Sequence, residues 1–420
     1  MTRAVFRNYG LATVATASVS GAHFLLQLSV LHQLGAAAFG LVAFVMVLIQ
    51  FGTGLCNALV AAPFTVAAAQ DELATAGVSG FYFANMANAL GIALLTCIAV
   101  LAFSDAGLAV ACGFGFASGL SAIRWFGRTV AYTQGRTVLA AFSDGIYSLL
   151  LLGSLAALFL FASSLFAVVV AFILASLAAT LPFGLDFFKD HLRLEFRSSV
   201  RAYGPVWRSQ AKWALAGLVT TEATANSHSY IVTAVAGPAG FAPLAAAALF
   251  MRPVGVCLVS LTQLERPALA RAMSAGHMDA ILPIVRRFTL VLVAIALATA
   301  LLAAGIMHFA PSLVFKPGLD PHDVMIATAI WSAIMLVLCI QTPLSVVLQA
   351  GGQFRELAFA SIRACGVTIC MVLLLLFAFG SVYSALGVLA GQLVMTADII
   401  LRLRPVLKPT AAAEPPRVTS

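Results

Sequence analysis

Long apolar runs separated by short polar loops constrain this chain more than any other feature of its sequence. A transmembrane helix needs about 20 consecutive apolar residues. Hydrophobic residues make up 62% of the chain and charged residues only 9%, a balance that water-soluble globular domains do not have. The sequence therefore predicts an all-α polytopic membrane protein with about twelve transmembrane helices. Their predicted ranges are 9–34, 39–62, 80–103, 107–131, 137–161, 163–188, 208–234, 240–264, 285–309, 323–349, 356–379 and 383–404.

The positions of Lys and Arg predict the orientation of these helices. With both termini in the cytoplasm, 22 of the 23 Lys and Arg residues lie in or beside cytoplasmic segments, and only Lys316 lies outside. Membrane proteins carry such an excess of cations on the cytoplasmic side. Arg3 and Arg7 precede an apolar run long enough to span the bilayer, so we interpret this run as a first transmembrane helix rather than a cleaved signal peptide.

A basic stretch in the middle of the chain, Lys189 to Lys212, divides the sequence into two similar halves. Arg193, Arg197 and Arg201 recur every four residues and form a cationic stripe on a helix, which predicts an amphipathic helix on the membrane surface that faces anionic head groups. The apolar stripe beside it consists of Leu192, Phe196, Val200 and Tyr203. Gly204-Pro205 is predicted to break this helix. An ordinary cytoplasmic loop is the alternative. The predicted units are residues 1–188, 189–207 and 208–404, with a disordered cytoplasmic tail at 405–420.

Weak internal repeats relate the two halves. The segment 34–40 resembles 236–242, Gly54-Leu-Cys56 resembles Gly255-Val-Cys257, and 134–143 resembles 352–361. These matches keep the same order along the chain. Because each half contains six predicted helices, the repeats share one orientation in the membrane. The sequence therefore predicts two six-helix lobes around a central cavity.

Charged residues near the middle of predicted helices are candidate site residues, because such charges are costly in a membrane and usually face protein or water. Glu222 and Arg252 lie at similar depth in the seventh and eighth helices. They form either a structural ion pair or a cavity site in which Arg252 meets an anionic substrate and Glu222 holds it or carries a coupling cation. Gln50 is the approximate equivalent of Arg252 in the first half.

Four further charges lie toward the cytoplasmic ends of predicted helices. Arg124 lies deep enough to be a cavity residue, whereas snorkelling to the interface is the favoured interpretation of Arg128. Asp144 and Arg363 are nearly equivalent in the repeat, and with Arg128 they are candidates for an ion pair or a gate.

No motif of nucleotide hydrolysis, metalloprotease, thiol-redox or serine-hydrolase chemistry occurs in the sequence. We therefore predict no enzymatic activity, no cofactor and no metal site. The basic residues follow membrane topology, so nucleic-acid binding is not expected either. The longest outer loop, 310–322, is short, which disfavours a membrane glycosyl polymerase or ligase.

Three segments resemble the polysaccharide-export, O-antigen flippase-like branch of the multidrug/oligosaccharidyl-lipid/polysaccharide exporter superfamily. They are LGAAAFGLVAF (34–44), RWFGRTVAYTQGRTVLAAFSD (124–144) and GGQFRELAFASIR (351–363). The resemblance implies a bacterial inner-membrane flippase that moves an undecaprenyl-diphosphate-linked glycan to the periplasmic leaflet by alternating access. It also implies the lipid bilayer and polysaccharide polymerase machinery as partners, and Arg124 and Arg252 as cavity cations.

Of two other transporter types, one remains as an alternative and one is disfavoured. A cation-coupled multidrug exporter of the same superfamily is the main alternative, although such exporters commonly carry an acid in the first helix, where this chain has only His23 and Gln27. A major-facilitator carrier is disfavoured because the loop 63–79 carries Asp71 and Glu72 without any cation.

Overall fold

The computed structural model describes residues 3–69, 78–161, 163–192, 196–274, 277–314, 319–350 and 353–407. Nearly all of these residues are helical, and no strand occurs among them. Several residues that the sequence singles out lie outside these ranges, namely Asp71, Glu72, Arg193, Lys316 and the tail from 408.

The described residues of the N-terminal half form six helices of different length. Apolar composition and good helix formers favour helix throughout these runs. They are α1 (Arg3–Cys56), α2 (Ala62–Ala69), α3 (Val78–Phe103), α4 (Leu108–Thr133), α5 (Thr137–Phe161) and α6 (Leu165–Thr180). A π-helical turn, Asn57–Ala61, joins α1 to α2.

A linker of two short helices leads to the C-terminal half. The linker helices are α7 (Leu185–Leu192) and α8 (Phe196–Val206). The C-terminal half contains α9 (Lys212–Phe250), α10 (Arg252–Ser274), α11 (Met278–Phe309), α12 (Pro311–Val314), α13 (Pro321–Ala350), α14 (Phe354–Phe379) and α15 (Ala385–Leu407).

Two of the long helices are hairpins rather than straight rods. The backbone leaves helical geometry at Gly35 in α1, where φ is 82°, and at Gly237 in α9, where φ is 72°. Gln27 Nε2 donates a hydrogen bond to Met46 Sδ at 3.2 Å, although 19 residues of straight helix would separate them by about 28 Å. The His228 and Phe241 rings likewise lie 6.3 Å apart across Gly237.

These two hairpins explain why ten long helical segments correspond to the twelve spans that the sequence predicts. Ten helical segments of the described chain are long and apolar enough to cross a membrane, and the segments Val14–Thr65 and Ala214–Phe250 each contain one hairpin break. The prediction of an all-α membrane protein with two six-helix lobes is confirmed. The predicted repeat between 34–40 and 236–242 has a structural counterpart, since Gly35 and Gly237 adopt nearly the same left-handed conformation.

The two halves meet at their hairpins. A Cβ atom added to Gly40 would lie only 1.9 Å from the carbonyl oxygen of Pro238, so the two backbones touch there. The Phe44 and Tyr230 rings lie 6.3 Å apart in the same interface, and a Cβ at Gly54 would lie 3.0 Å from Leu218. Helix α1 and helix α9 therefore pack along much of their length.

Three predicted boundaries were wrong. The predicted eighth helix, 240–264, is interrupted at Met251, where α9 ends and α10 begins at Arg252. The predicted sixth helix ends at Phe183 rather than 188, because Gly184 adopts a φ of 91° before α7. Gly204-Pro205 does not end the linker helix: helical geometry continues to Val206 and through the π-helical turn Trp207–Ala211, and the chain changes direction there without leaving the helix.

The break at Met251 separates the two halves beyond it. Helix α10 packs mainly on α11 and α13 of its own half, and among the described residues it makes no substantial contact with the N-terminal half. Because α10 runs toward the side predicted to be cytoplasmic, the halves part along α10 on that side, whereas α1 and α9 stay in contact there through Gly54 and Leu218. The residues at this branching point are the candidates for a site.

Candidate functional site

Two arginines and one aspartate form a buried cluster in the N-terminal half. Arg124 and Arg128 lie one turn apart on α4, so both face Asp144 on α5. Arg124 Nη1 lies 2.7 Å from Asp144 Oδ1, and Arg128 Nη2 lies 2.9 Å from Oδ2. All three residues are buried, and Asp144 is fully inaccessible. The structure thus pairs Asp144 with two cations rather than one.

This cluster carries a surplus of positive charge. Among the described residues, Asp144 is the only acid within ion-pair distance of either arginine. The Nε atoms of Arg124 and Arg128 are buried and have no hydrogen-bond partner. A buried charge without compensation is costly. The arrangement is therefore suited to a further anion, and snorkelling of Arg128 to the interface, the favoured sequence interpretation, is wrong because its guanidinium turns inward to Asp144.

An aromatic and a histidine connect the cluster to α1. The Arg124 guanidinium lies 4.2 Å from the centroid of the Tyr147 ring, a cation–π contact. The Tyr147 hydroxyl and His23 Nε2 are hydrogen-bonded at 2.8 Å. His23 thus forms a hydrogen bond between α1 and α5, whereas Tyr147 is not among the residues singled out from the sequence. The missed signal was spacing, since Tyr147 lies three residues after Asp144 on the same helix face.

Arg252 approaches this network from the C-terminal half. It is the first residue of α10, directly after the break at Met251. Its side chain is partly buried, and the buried Nη1 atom has no hydrogen-bond partner. Both Arg252 and Arg124 interact electrostatically with the His23 ring. Cations of both halves therefore converge on the region around His23, near the point where the halves begin to part.

Glu222 has local partners instead of Arg252. Its Oε1 atom accepts hydrogen bonds from Asn226 Nδ2 at 3.0 Å and from the Tyr230 hydroxyl at 2.5 Å. Within the described part of the chain no ion pair joins Glu222 to Arg252. The structural ion pair, one of two sequence hypotheses, is thus wrong in this structure. The break at Met251 redirects Arg252, whereas Glu222 is satisfied by residues one and two turns along its own helix.

Gln50 and Arg363 lie apart from the arginine cluster. Gln50 is exposed on α1, and it lies inside a continuous helix whereas Arg252 begins one. Arg363 Nη2 forms an ion pair with Asp398 at 2.7 Å in the C-terminal half, so it does not meet Asp144. Arg402 completes that second cluster by contacting Asp398 and Glu356. Whether any of these residues acts as a gate stays a prediction.

No metal centre is formed by the described residues, since no three His, Cys, Asp or Glu side chains among them come together as ligands. The cysteines there are free thiols. The polar side chains of the candidate site are thus arginines, a tyrosine, a histidine and one carboxylate. This set can bind an anion through charge and hydrogen bonds.

No protein-family model matches this chain, and no curated protein matches it. Solved structures do resemble it over nearly its whole length. An inward-facing multidrug resistance MATE family transporter of the MOP superfamily aligns with a TM-score of 0.58, 15% identity, and coverage of 98% of this chain and 97% of the other.

Two further structures extend the comparison. The transporter VcmN of Vibrio cholerae aligns with a TM-score of 0.56 and 17% identity over 96% of each chain. A MOP superfamily transporter from Pyrococcus furiosus Vc1, for which reverse polarity of the binding pocket suggests a different function, aligns with a TM-score of 0.55 and 15% identity over 97% of this chain and 96% of the other. At such identities the likeness concerns the fold, and the fold of this chain is that of the MOP superfamily transporters.

Proposed function

We propose that this chain is a membrane exporter that moves an anionic substrate by alternating access between its two lobes. The similarity to solved transporters along the whole chain supports the exporter class. The way the halves join at the hairpins and part beyond Met251 is compatible with two lobes that tilt against each other. The positive charge of Arg124, Arg128 and Arg252 then favours an anionic substrate.

One observation carries the proposed sign of the substrate. Arg124 and Arg128 share a single buried carboxylate, and Arg252 has a buried nitrogen without a partner. In a low-dielectric site one unit charge counts for much more than in water. A phosphate or carboxylate group that enters between the lobes would satisfy these donors, whereas a cationic substrate would meet repulsion. Arginine also grips such groups in two places through its planar fork.

The finer form of the proposal is a flippase for a lipid-linked oligosaccharide in the bacterial inner membrane. Its polar head cannot cross hydrocarbon unaided, because its charges would lose their hydration. A cationic path between the lobes avoids this cost while the lipid tail stays in the bilayer. The resemblance of 34–44, 124–144 and 351–363 to polysaccharide exporters supports this form, and polysaccharide polymerase machinery would be its partner.

A cation-coupled multidrug exporter is the second candidate function. Solved structures similar to this chain are multidrug resistance MATE family transporters, so the comparisons favour this candidate over a flippase. Glu222, which is partly buried with Tyr230 and Asn226, would then carry the coupling cation. The positive charge around His23 speaks against cationic drugs, and one transporter of this fold is itself described as having a binding pocket of reversed polarity.

The test compares variants of Arg252 in a deletion strain. Because Arg252 has no ion-pair partner among the described residues, Arg252→Gln should leave the protein stable. It should nevertheless weaken binding of a phosphate by about tenfold or more. We expect lipid-linked oligosaccharide to accumulate on the cytoplasmic leaflet, with partial rescue by Arg252→Lys. Arg286→Gln, which removes an exposed cation elsewhere in the C-terminal half, is the control and should export normally.

Two outcomes would contradict the proposal. Full export by Arg252→Gln and by the double variant Arg124→Gln/Arg252→Gln would exclude these arginines as the substrate site. Normal glycan export in the deletion strain, together with new sensitivity to cationic drugs, would favour the multidrug exporter instead.

A further inference from the structure

The linker helix α8 has three distinct faces, of which the protein covers only one. We propose that α8 is a docking surface for anionic phospholipid head groups, fixed to the N-terminal half at the edge of the membrane. This inference is independent of which substrate the protein moves. It rests on how α8 is held, where it lies relative to α3, and how its exposed residues are arranged.

Contacts with the π-helical turn after α1 and with α3 hold the linker on the N-terminal half. The Tyr203 hydroxyl donates a hydrogen bond to the carbonyl oxygen of Leu59 at 2.6 Å. A Cβ at Gly80 would lie 3.0 Å from the backbone nitrogen of Tyr203, so α8 and α3 touch closely. In α7, buried His191 Nε2 lies 3.0 Å from Asn85 Nδ2 of α3. The linker is therefore part of the N-terminal half and moves with it.

The position of Phe196 places α8 beside the start of the apolar helix α3, at the predicted edge of the membrane. If α8 continued the axis of α9, Phe196 would lie about 24 Å beyond Lys212, away from the bilayer. Instead its ring lies 5.4 Å from that of Phe83, inside the apolar segment Val78–Phe103. The chain must therefore bend between α8 and α9, and Pro205 and the π-helical turn Trp207–Ala211 are recognised causes of such bends.

The residues of α8 divide around its axis, since successive helical residues are rotated by about 100°. The face toward the protein contains buried Ser199 and partly buried Tyr203. Next to it lie Phe196 and Val200, whose side chains are 70% and 43% exposed. The cations on the following side, Arg197 and Arg201, are exposed as well.

This order of faces fits the boundary of a bilayer. Phe196 packs on Phe83, and exposed Leu90 and Leu94 follow on the same face of α3. We infer that the hydrocarbon which covers this face also covers the apolar side of α8. Arg197 and Arg201 then lie at the level of the head groups, where anionic lipids attract them. A protein partner would have to cover a surface that is continuous with the lipid-exposed part of the bundle, which makes lipid the fitting occupant.

The test follows Trp207, whose exposed side chain lies at the end of α8. The full chain is placed in lipid nanodiscs that contain brominated phosphatidylglycerol or brominated phosphatidylcholine at the same fraction, because bromine quenches tryptophan that touches the lipid. The signal of Trp207 is obtained by subtracting that of Trp207→Phe. We expect stronger quenching by the anionic lipid, since each arginine that reaches the head groups enriches it locally by about fivefold.

Two double variants complete the experiment. Arg197→Gln/Arg201→Gln should abolish the preference for phosphatidylglycerol, whereas Arg286→Gln/Arg355→Gln, which removes two exposed cations of the C-terminal half, should retain it. Equal quenching of the wild type by both lipids would overturn the head-group selectivity. Absence of quenching by either lipid would overturn the proposal entirely, because α8 would then lie off the bilayer or under another protein.

Discussion

At the scale of single residues, the two halves treat their charges differently. In the C-terminal half, Arg363 and Arg402 face Asp398 and Glu356, and the side chain of Arg363 is 54% exposed. The ion pair of Arg363 with Asp398 has one exposed partner and should contribute little, about 0–1 kcal/mol. In the N-terminal half the charges are buried and unbalanced around Asp144. We therefore expect that removal of a single charged residue lowers stability more in the N-terminal half than in the C-terminal half.

We expect Asp144→Asn to destabilise the protein far more than Arg128→Gln. The first change leaves two buried guanidinium groups without a counter-charge and should cost about 3–5 kcal/mol. The second removes the ion pair of Arg128 with Asp144 and its stacking on Trp125, but it leaves Arg124 and Asp144 as a balanced buried pair and should therefore cost less. Thermal unfolding of the two purified variants in the same detergent measures the difference. Equal losses of stability would mean that the cluster is not one carboxylate short.

Glu222 and Arg252 should behave as independent residues. Since the two form no ion pair among the described residues, the effects of Glu222→Gln and Arg252→Gln on the free energy of unfolding should add within about 0.5 kcal/mol. The double-mutant cycle of Arg124→Gln and Asp144→Asn is the matched comparison. Arg124 Nη1 and Asp144 Oδ1 lie 2.7 Å apart, so the cycle of these two residues should show a coupling energy of at least about 1 kcal/mol. Coupling of similar size in the Glu222 cycle would refute this assignment.

At the scale of helices, the tight contact of the two hairpins depends on glycine. Gly40→Ala should destabilise the protein by about 1–3 kcal/mol, because the added Cβ would overlap the Pro238 carbonyl group, which cannot move as a side chain could. Gly35→Ala should cost about 1–2 kcal/mol for its left-handed backbone alone. Gly21→Ala is the control, since a Cβ there meets nothing within 4 Å. In thermal unfolding, Gly40→Ala and Gly35→Ala should have clearly lower melting temperatures than Gly21→Ala. An unchanged stability of Gly40→Ala would contradict the close approach of the two backbones.

The sequence predicts the helices and their hairpins well because bilayer length and apolar runs dictate them. It also places Arg124 and Asp144 at comparable depth. It carries a signal for the break at Met251 that the predicted helix 240–264 does not use, because Pro253 lies in the first turn of α10, where proline commonly starts a helix. The partners of Arg252 and Glu222 depend on that break. Arg128 was interpreted as interfacial because its distance from the helix end is visible in the sequence, whereas the direction of its side chain depends on the packing of α4 against α5.

At the scale of the whole molecule, the pseudo-symmetric halves differ in their second helices. The second limb of the α1 hairpin continues without a break past Gln50 to Cys56, whereas its counterpart is cut at Met251 and continues as α10. The continuous limb packs on α9, and α10 packs within its own half. One side of the interface is therefore closed and the other is open, which places Arg252 and His23 beside the opening.

The orientation of this opening is the last prediction. The distribution of Lys and Arg predicts that it faces the cytoplasm, together with the linker. Alkaline phosphatase fused at Ser104 or Ser163 should be active, because both residues lie in short turns on the same side as the hairpin tips. Fluorescent protein fused at Arg197 should fold in the cytoplasm, and phosphatase activity at Arg197 would reverse the orientation. The two turns control for each other, since they are separated by two spans, and opposite results at Ser104 and Ser163 would contradict the helix count itself.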